Sequence, residues 1–418
     1  ELLVITMKHH QKYFPVWKGE KLLPYFITIS NMKARGREIP RGNQRVLKAR
    51  LEDARFFYDE DRKRRLEDMV EELKGVVFQK DLGTSHEKLM RVVTLTGLFA
   101  RRVCPEEEAT AKRAALLSKA DLVSQMVFEF PELQGIMGGY YAEHAGEDPE
   151  VARAIKEHYR PAFAGDDVPS TAAGALVALA DKLDTIVGCI GVGLIPSGSE
   201  DPYALRRHAM GIMEILAKYD NFDLNLDWLF ERGVEALESK AKLSQKEIRD
   251  HCEALFNQRT KSMLLGMEFE PDVIDAVISA GIGLPPEVRQ KAAALADLKK
   301  QPYFEDLATA FKRVVRIIEG DVPKEVNSDL LQEPQEQALY RKLSGIKSTV
   351  ENQTRSGDYA GALAGIVEIK GAVDDFFDHV MVNVEDPALK ANRMALLKSI
   401  AGLFAPLADF SKIVLQKN

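Results

Sequence analysis

Apolar positions change their spacing near residue 42. Before it, Leu2-Leu3-Val4-Ile5 and Tyr25-Phe26-Ile27-Thr28-Ile29 are β-rich runs flanking a turn at Lys18-Gly19-Glu20, a pattern that predicts strands. Two strands alone are marginal in water, so residues 1–40 read as the end of a larger sheet domain. After residue 42 the apolar residues recur at three and four. From Asn43 to Leu73, Leu47, Leu51, Ala54 and Phe57/Tyr58 predict a core stripe along one charged helix. Tyr359, Leu363, Ile366, Val373, Phe377 and Val380 share a face of another predicted helix, and Leu389, Leu396, Ile400, Leu403 and Leu407 share a face of the last. Antiparallel helices with such stripes make a bundle.

Asp148-Pro149, Asp201-Pro202 and Asp386-Pro387 predict helix starts, because Asp accepts from free first-turn amides and Pro needs no acceptor there. Loops are expected at 195–199 and 281–286, which are rich in Gly and Pro. The resulting division is a β-rich end at 1–40, a helical domain at 41–195, a helical connector at 196–298 and a helical bundle at 299–418. The expected class is mainly α.

A chain of 418 residues exceeds one ordinary core. With 45% hydrophobic and 29% charged residues, it has enough apolar surface to fold. Runs such as Leu176–Ala180 and Ile186–Leu194 are too short to span a bilayer, so no membrane partner is expected. The chain opens on Glu1 and enters an apolar run at once, which reads as a cut end with no signal peptide in view. Cys104, Cys189 and Cys252 are too scattered for a disulfide framework or zinc site and suit buried thiols in a reducing cytoplasm. The net charge of −7 argues against a generic nucleic-acid coat, though not against local basic faces.

Catalytic motifs are sparse. Gly188, Gly191 and Gly193 form no phosphate-cradling motif, and neither class of synthetase core nor a nucleophile elbow is present. No catalytic residue is assigned and no cofactor is expected in this chain. One constellation resembles a metal site. Residues 82–185 look like the helical HD phosphohydrolase domain, with His86 in LGTSHEKLMRV, His158 in IKEHYRP and Asp181 in LADKLDTI at family positions. Adjacent His and Asp can reach one divalent ion from a single helical turn. Here that pair reads Ser118-Lys119, so the site is degenerate. An ammonium is expected to replace the metal and pair with Asp181 or Asp121.

Longer strings resemble the glycyl-tRNA synthetase β subunit: MKHHQKYFPV (7–16), RGNQRVLKARLEDARFFYDEDRK (41–63), FQKDLGT (78–84), LLSKADLVSQMVFEFPELQGIMGGYYA (116–142), FAGDDVPS (163–170), LADKLDTIVG (179–188) and DPYALRR (201–207). FFDHVMVNVEDPALKANRMALL (376–397) resembles that family's C-terminal anticodon-binding domain. The resemblance implies a degenerate HD-like domain, a connector and an anticodon-binding-like bundle. It also implies an α2β2 assembly in which a separate α subunit joins glycine to tRNA(Gly) with ATP and Mg, while this chain grips tRNA.

Candidate RNA contacts are Lys312, Arg313 and Arg316 along one helix, then Arg341, Lys342, Lys347, Arg355, Lys390 and Arg393. Arg can hold phosphate in bidentate fashion or stack on a base. Asn392 could read a base edge, and Arg206 and Arg207 could line an RNA groove or pair with local acids. The rival readings are a metal-dependent HD-type phosphohydrolase, a protein-binding scaffold, and another synthetase with a similar bundle, such as the arginyl enzyme.

Overall fold

The computed structural model describes residues 4, 7–8, 13–31, 38–237, 240–281, 283–318, 323 and 325–415. The chain divides into two compact units, Glu1–Cys252 and Glu253–Asn418. The boundary therefore falls inside the segment read as a connector: 196–252 belong to the first unit and 253–298 to the second.

In the first unit, β1 (Phe14–Lys18) and β2 (Lys21–Ile27) form an antiparallel hairpin with Phe14 opposite Ile27 and Lys18 opposite Lys21. Gly19, at the turn, has φ of 58°, a conformation that costs glycine little. The partner of the second run is thus Phe14–Lys18. Leu2, Leu3 and Ile5 lie outside the described residues, and Val4 is helical where a strand was expected. Met7, Tyr13 and Leu47 form a small core with Phe26 and Leu51, which seats the hairpin on α1 (Glu38–Asp61).

The expected helix at Asn43–Leu73 is two helices, α1 and α2 (Leu66–Glu72). The break follows Asp61, which is buried and turns inward. Its carboxylate accepts from the amides of Gln125 and Met126 at 3.0 and 2.9 Å and from the Tyr141 hydroxyl at 2.9 Å. Those residues sit on α5 (Gln125–Glu129) and α6 (Ile136–Ala145). A short ribbon missed from sequence, β3 (Val77–Gln79) and β4 (Gly83–Thr84), leads into α3 (Ser85–Val103). Helix α3 opens with a reciprocal Thr84–Glu87 capping box.

The centre of this unit is α8 (Ala172–Gly191), in which every residue from Ala173 onward is buried. Helices α3, α4 (Glu108–Leu117), α7 (Pro149–Glu157), α9 (Leu205–Lys218) and α10 (Leu226–Leu237) pack around it. A helix as largely apolar as this one belongs in such a core. Among the described residues no helix is long and apolar enough to cross a membrane. Asp148 caps α7 by accepting from Glu150 N at 2.8 Å. Asp201 accepts from Leu205 N and Arg206 N at 2.7 and 3.0 Å, yet it stands four residues ahead of α9, whose cap position is Ala204.

The second unit contains α12 (Pro271–Ser279), α13 (Pro285–Lys299), α14 (Phe304–Ile317), α15 (Pro334–Arg355), α16 (Tyr359–Val367), α17 (Lys370–His379) and α18 (Pro387–Phe404); α11 (Gln245–Gly266) spans the boundary. Pro285 and Pro286 open α13 where a loop had been expected, since a first turn does not need their amides. The stripe from Tyr359 to Val380 is buried as expected, but it runs over two helices, α16 and α17. Phe311 and Phe404 stack and Phe410 meets both edge-on, with ring centroids 4.8–5.4 Å apart. All three cysteines are buried, and none forms a disulfide among the described residues.

Candidate functional site

Helix α8 carries four polar residues through the apolar core within one stretch of five: Asp181, Lys182, Asp184 and Thr185 are each at most 5% exposed. Ionised groups survive burial only when paired and hydrogen-bonded, and α3 supplies the partners. Arg91 grips Asp184 in bidentate fashion, Nε to Oδ1 at 2.6 Å and a terminal nitrogen to Oδ2 at 3.1 Å. Lys88 Nζ donates to Asp184 Oδ2 at 3.1 Å, Thr185 Oγ1 at 2.8 Å and the Asp181 carbonyl at 3.1 Å. It also lies 3.1 Å from Asp181 Oδ1.

Lys119 closes the cluster. Its Nζ donates to Asp181 Oδ2 at 3.0 Å, lies 2.9 Å from His158 Nε2, and sits 3.7 Å from the centroid of the Tyr159 ring. His158 Nδ1 lies 2.6 Å from the Ile155 carbonyl. That carbonyl can only accept, so the proton is on Nδ1 and Nε2 accepts from the ammonium. Electrostatics agree with this tautomer: burial, reinforced by the Lys119 charge, lowers the His158 pKa to about 3. Burial alone would raise Asp181, but the Lys119 and Lys88 ammoniums outweigh it and hold the carboxylate well below its usual range. For Lys119, burial wins over the attraction of Asp181, and its pKa is lowered.

The remaining expected members of this site stand elsewhere. Ser118 Oγ donates to the Ala115 carbonyl at 2.8 Å, a local helix-end bond. His86 approaches Glu71, with Nε2 4.0 Å from its carboxylate; its place at the cavity wall is taken by Ser85 and Lys88. Asp121, offered as an alternative partner for Lys119, instead binds the amides of Gly135 and Gly138 at 2.6 and 2.9 Å. Burial pushes its pKa up to about 6. Sequence reasoning missed Lys88, Arg91 and Asp184, and also His208, which lines the cavity beside Lys88 and Lys119. One signal was available, because Lys88/Arg91 and Asp181/Asp184 repeat the same three-residue step with opposite charge. Among the described residues no group of three or more His, Cys, Asp or Glu is placed to hold a metal ion. The arrangement has the chemistry of an internal ion-pair network: the imidazole nitrogen and carboxylate that could ligate a cation already face an ammonium.

In the second unit the basic residues divide by burial. Asn392 and Arg393 leave the candidate RNA face. Asn392 exchanges two hydrogen bonds with the backbone of Asn327, at 2.8 and 3.1 Å. Arg393 is buried against Glu336 and donates to the Met381 carbonyl at 2.8 Å. Lys312 is folded onto the Ile413 carbonyl at 2.6 Å. Arg313 lies over the Phe377 ring at 4.2 Å. Lys342 pairs with Glu368 at 2.9 Å, Arg355 approaches Glu351 at 4.0 Å, and Arg341 Nε reaches the Gln337 carbonyl at 3.3 Å. Arg316 and Lys347 are exposed and Lys390 is half-buried, all without an ion pair among the described residues. In the first unit, Arg206 is half-buried and Arg207 is exposed, with one long 3.4 Å contact to the Ala162 carbonyl.

Residues 1–279 match the family model described as glycyl-tRNA synthetase beta subunit. The chain belongs to that family. Residues 303–409, within the second unit, match the DALR anticodon binding domain. Curated glycine–tRNA ligase beta subunits are similar along the whole chain. That of Trichlorobacter lovleyi is 46% identical over 415 residues, covering 99% of this chain and 60% of the relative. That of Geobacter sulfurreducens is 48% identical over 387 residues, covering 92% and 56%, and that of Syntrophus aciditrophicus is 44% identical over 416 residues, covering 99% and 60%. The chain thus spans about 60% of the length of the first curated relatives it matches. Family membership favours the synthetase-subunit reading over the phosphohydrolase one, in keeping with the ammonium between His158 and Asp181.

Proposed function

We propose that this chain is the tRNA-gripping part of a glycine–tRNA ligase, with glycine activation by ATP and Mg carried out on a separate α subunit of an α2β2 assembly in the cytoplasm. Family membership supports the ligase and the partner subunit. The match of residues 303–409 to an anticodon binding domain supports RNA as the ligand of the second unit. The observation that carries the non-catalytic reading is Lys119, whose ammonium occupies the space between His158 and Asp181. Fixed positive charge there repels a divalent cation. Of the candidate cations, Arg316, Lys347 and Lys390 keep their charge available to phosphate, while Asn392 and Arg393 hold the bundle together.

The test is a filter-binding titration of tRNA(Gly) against the chain at two salt concentrations, alongside glycine-dependent ATP–pyrophosphate exchange. Affinity is expected to fall steeply with salt, because phosphate contacts release counterions, and exchange is expected only when the α subunit is added. Exchange by the pure chain would overturn the division of labour. Absence of tRNA binding at low salt would overturn the gripping role.

A further inference from the structure

Beside the Lys119 cluster the first unit holds a larger cavity of about 560 Å³. It shares Gln134, Tyr159 and His208 with the 250 Å³ cavity that Lys88 and Lys119 line, so the two adjoin. Its wall is built by Glu132, Gln134 and Ile136, the end of α7 with the segment after it, the middle of α8 and the start of α9. The ion-pair network does not use the cations found here.

Lys182 is 2% exposed, yet its Nζ donates one hydrogen bond, to the Tyr159 carbonyl at 2.9 Å. It makes no ion pair among the described residues. An ammonium has three donors, so two are left facing the cavity side of α8 without a protein acceptor. A buried cation in that condition calls for an anion. Two guanidinium groups stand nearby. Arg160 is half-buried with no ion pair among the described residues, and Arg207 has only its long contact to the Ala162 carbonyl. Asp181, Asp166 and Glu214 act on Lys182 only through space, without a hydrogen bond to it among the described residues; of the two carboxylates that line the cavity, Glu132 and Asp166, the latter accepts from the amides of Ala162 and Asp167 at 2.8 and 2.9 Å.

The rim adds an aromatic face and a strained backbone. Phe163, 63% exposed, stands at the mouth. Ala204 adopts φ of 54°, a left-handed conformation uncommon for any residue but glycine. Such strain collects at ligand sites, where surrounding structure holds it. Convergent cations inside, a flat apolar ring outside and a volume above 300 Å³ match a site for an organic anion of nucleotide size.

We propose that this cavity binds a nucleoside monophosphate group, its phosphate held by Lys182, Arg160 and Arg207 and its base stacked on Phe163. The group arrives either as a free nucleotide or as the unpaired terminal residue of an RNA strand. The RNA source rests on the proposed function; the pocket itself does not.

The experiment titrates the full chain with AMP, CMP, adenosine and a single-stranded RNA tetramer, by calorimetry and by competition. Saturable binding of AMP or CMP below about 1 mM is expected, with adenosine at least tenfold weaker because a charge-assisted phosphate contact is lost. Arg207→Glu, at an exposed position, is expected to weaken nucleotide binding at least tenfold while leaving the circular dichroism spectrum unchanged. Lys182→Met should act in the same direction wherever it folds. Displacement of AMP by the tetramer assigns the site to RNA, and its absence assigns it to free nucleotide; both support the pocket. No saturable nucleotide or tetramer binding, or unchanged affinity in Arg207→Glu, overturns it. tRNA(Gly) binding is measured on the same protein: if tRNA binds and nucleotides and tetramer do not, only this inference falls. If tRNA does not bind, the gripping role falls and the pocket is judged by the nucleotide titration.

Discussion

Replacing Lys119 by Met tests the central cluster in two independent ways. The substitution keeps the volume and removes the ammonium that Asp181 Oδ2 and His158 Nε2 share. Breaking one partner out of a buried ion pair costs about 3–5 kcal/mol. Lys88 remains 3.1 Å from Asp181 Oδ1, so the lower end of that range is expected. The second consequence concerns pH. In the native protein His158 holds its proton only below about 3, against an ordinary value of 6.5. The unfolded chain therefore binds a proton first as pH falls, and stability present above 6.5 is lost below it. Between pH 7.5 and 5.5 this one group removes about 1.4 kcal/mol. Without the neighbouring ammonium, and with Asp181 still beside it, the folded-state pKa of His158 rises and that acid loss shrinks. Both tryptophans, Trp17 and Trp228, belong to the first unit, so their fluorescence during urea denaturation follows that unit alone. The expected result is a variant less stable at pH 7.5 whose loss on acidification is smaller than the wild type's. A change under about 1 kcal/mol, or an unaltered pH dependence, would refute the cluster's energetics.

Other outcomes follow from the same geometry. Asn392→Ala is expected to lower the stability of the second unit by about 1–3 kcal/mol, because it removes both part-buried hydrogen bonds that tie α18 to the backbone of Asn327. Arg316→Ala and Lys347→Ala should change stability by less than about 0.5 kcal/mol. Each should instead reduce tRNA affinity and lower the salt slope by about one in filter binding; normal tRNA binding would remove that residue from the RNA face. Asp61→Ala removes the acceptor for two amides and the Tyr141 hydroxyl, and a loss of about 2–4 kcal/mol in urea midpoint analysis is expected. Manganese or EDTA should leave the thermal midpoint of the first unit unmoved, since Lys119 already neutralises Asp181; a metal-dependent rise in differential scanning fluorimetry would contradict this.

The helical class and much of the second unit's core were legible because stripes at three and four survive in sequence. Where helices stop was not. The stripe continues in phase across 62–65 and across 368–369, so Asn43–Leu73 and Tyr359–Val380 each read as one helix. What ends the first is the inward turn of Asp61, a tertiary bond that no local pattern announces. His86 failed for a related reason. Successive residues advance about 100° around a helix, so His86 points roughly 200° away from Lys88, and it is the Ser85/Lys88 side that faces α8. The pairing of Lys119 with Asp181 was readable, because it needed only the charge of one side chain. The burial of Asn392 and Arg393 was not, since a basic residue of the same helix, Lys398, stays exposed.

The ion pairs inside α8 also index that helix. A cylinder covered evenly with Ala, Leu, Val and Ile would find nearly equal packing after rotating by one residue or advancing by a turn. Asp181 and Asp184 forbid this, since either motion would carry two carboxylates away from Lys88, Arg91 and Lys119 into hydrocarbon. Helix α3 and the ends of α4 and α7 are thereby docked against it in a single register, and the wall that they give the adjoining cavity is fixed with them.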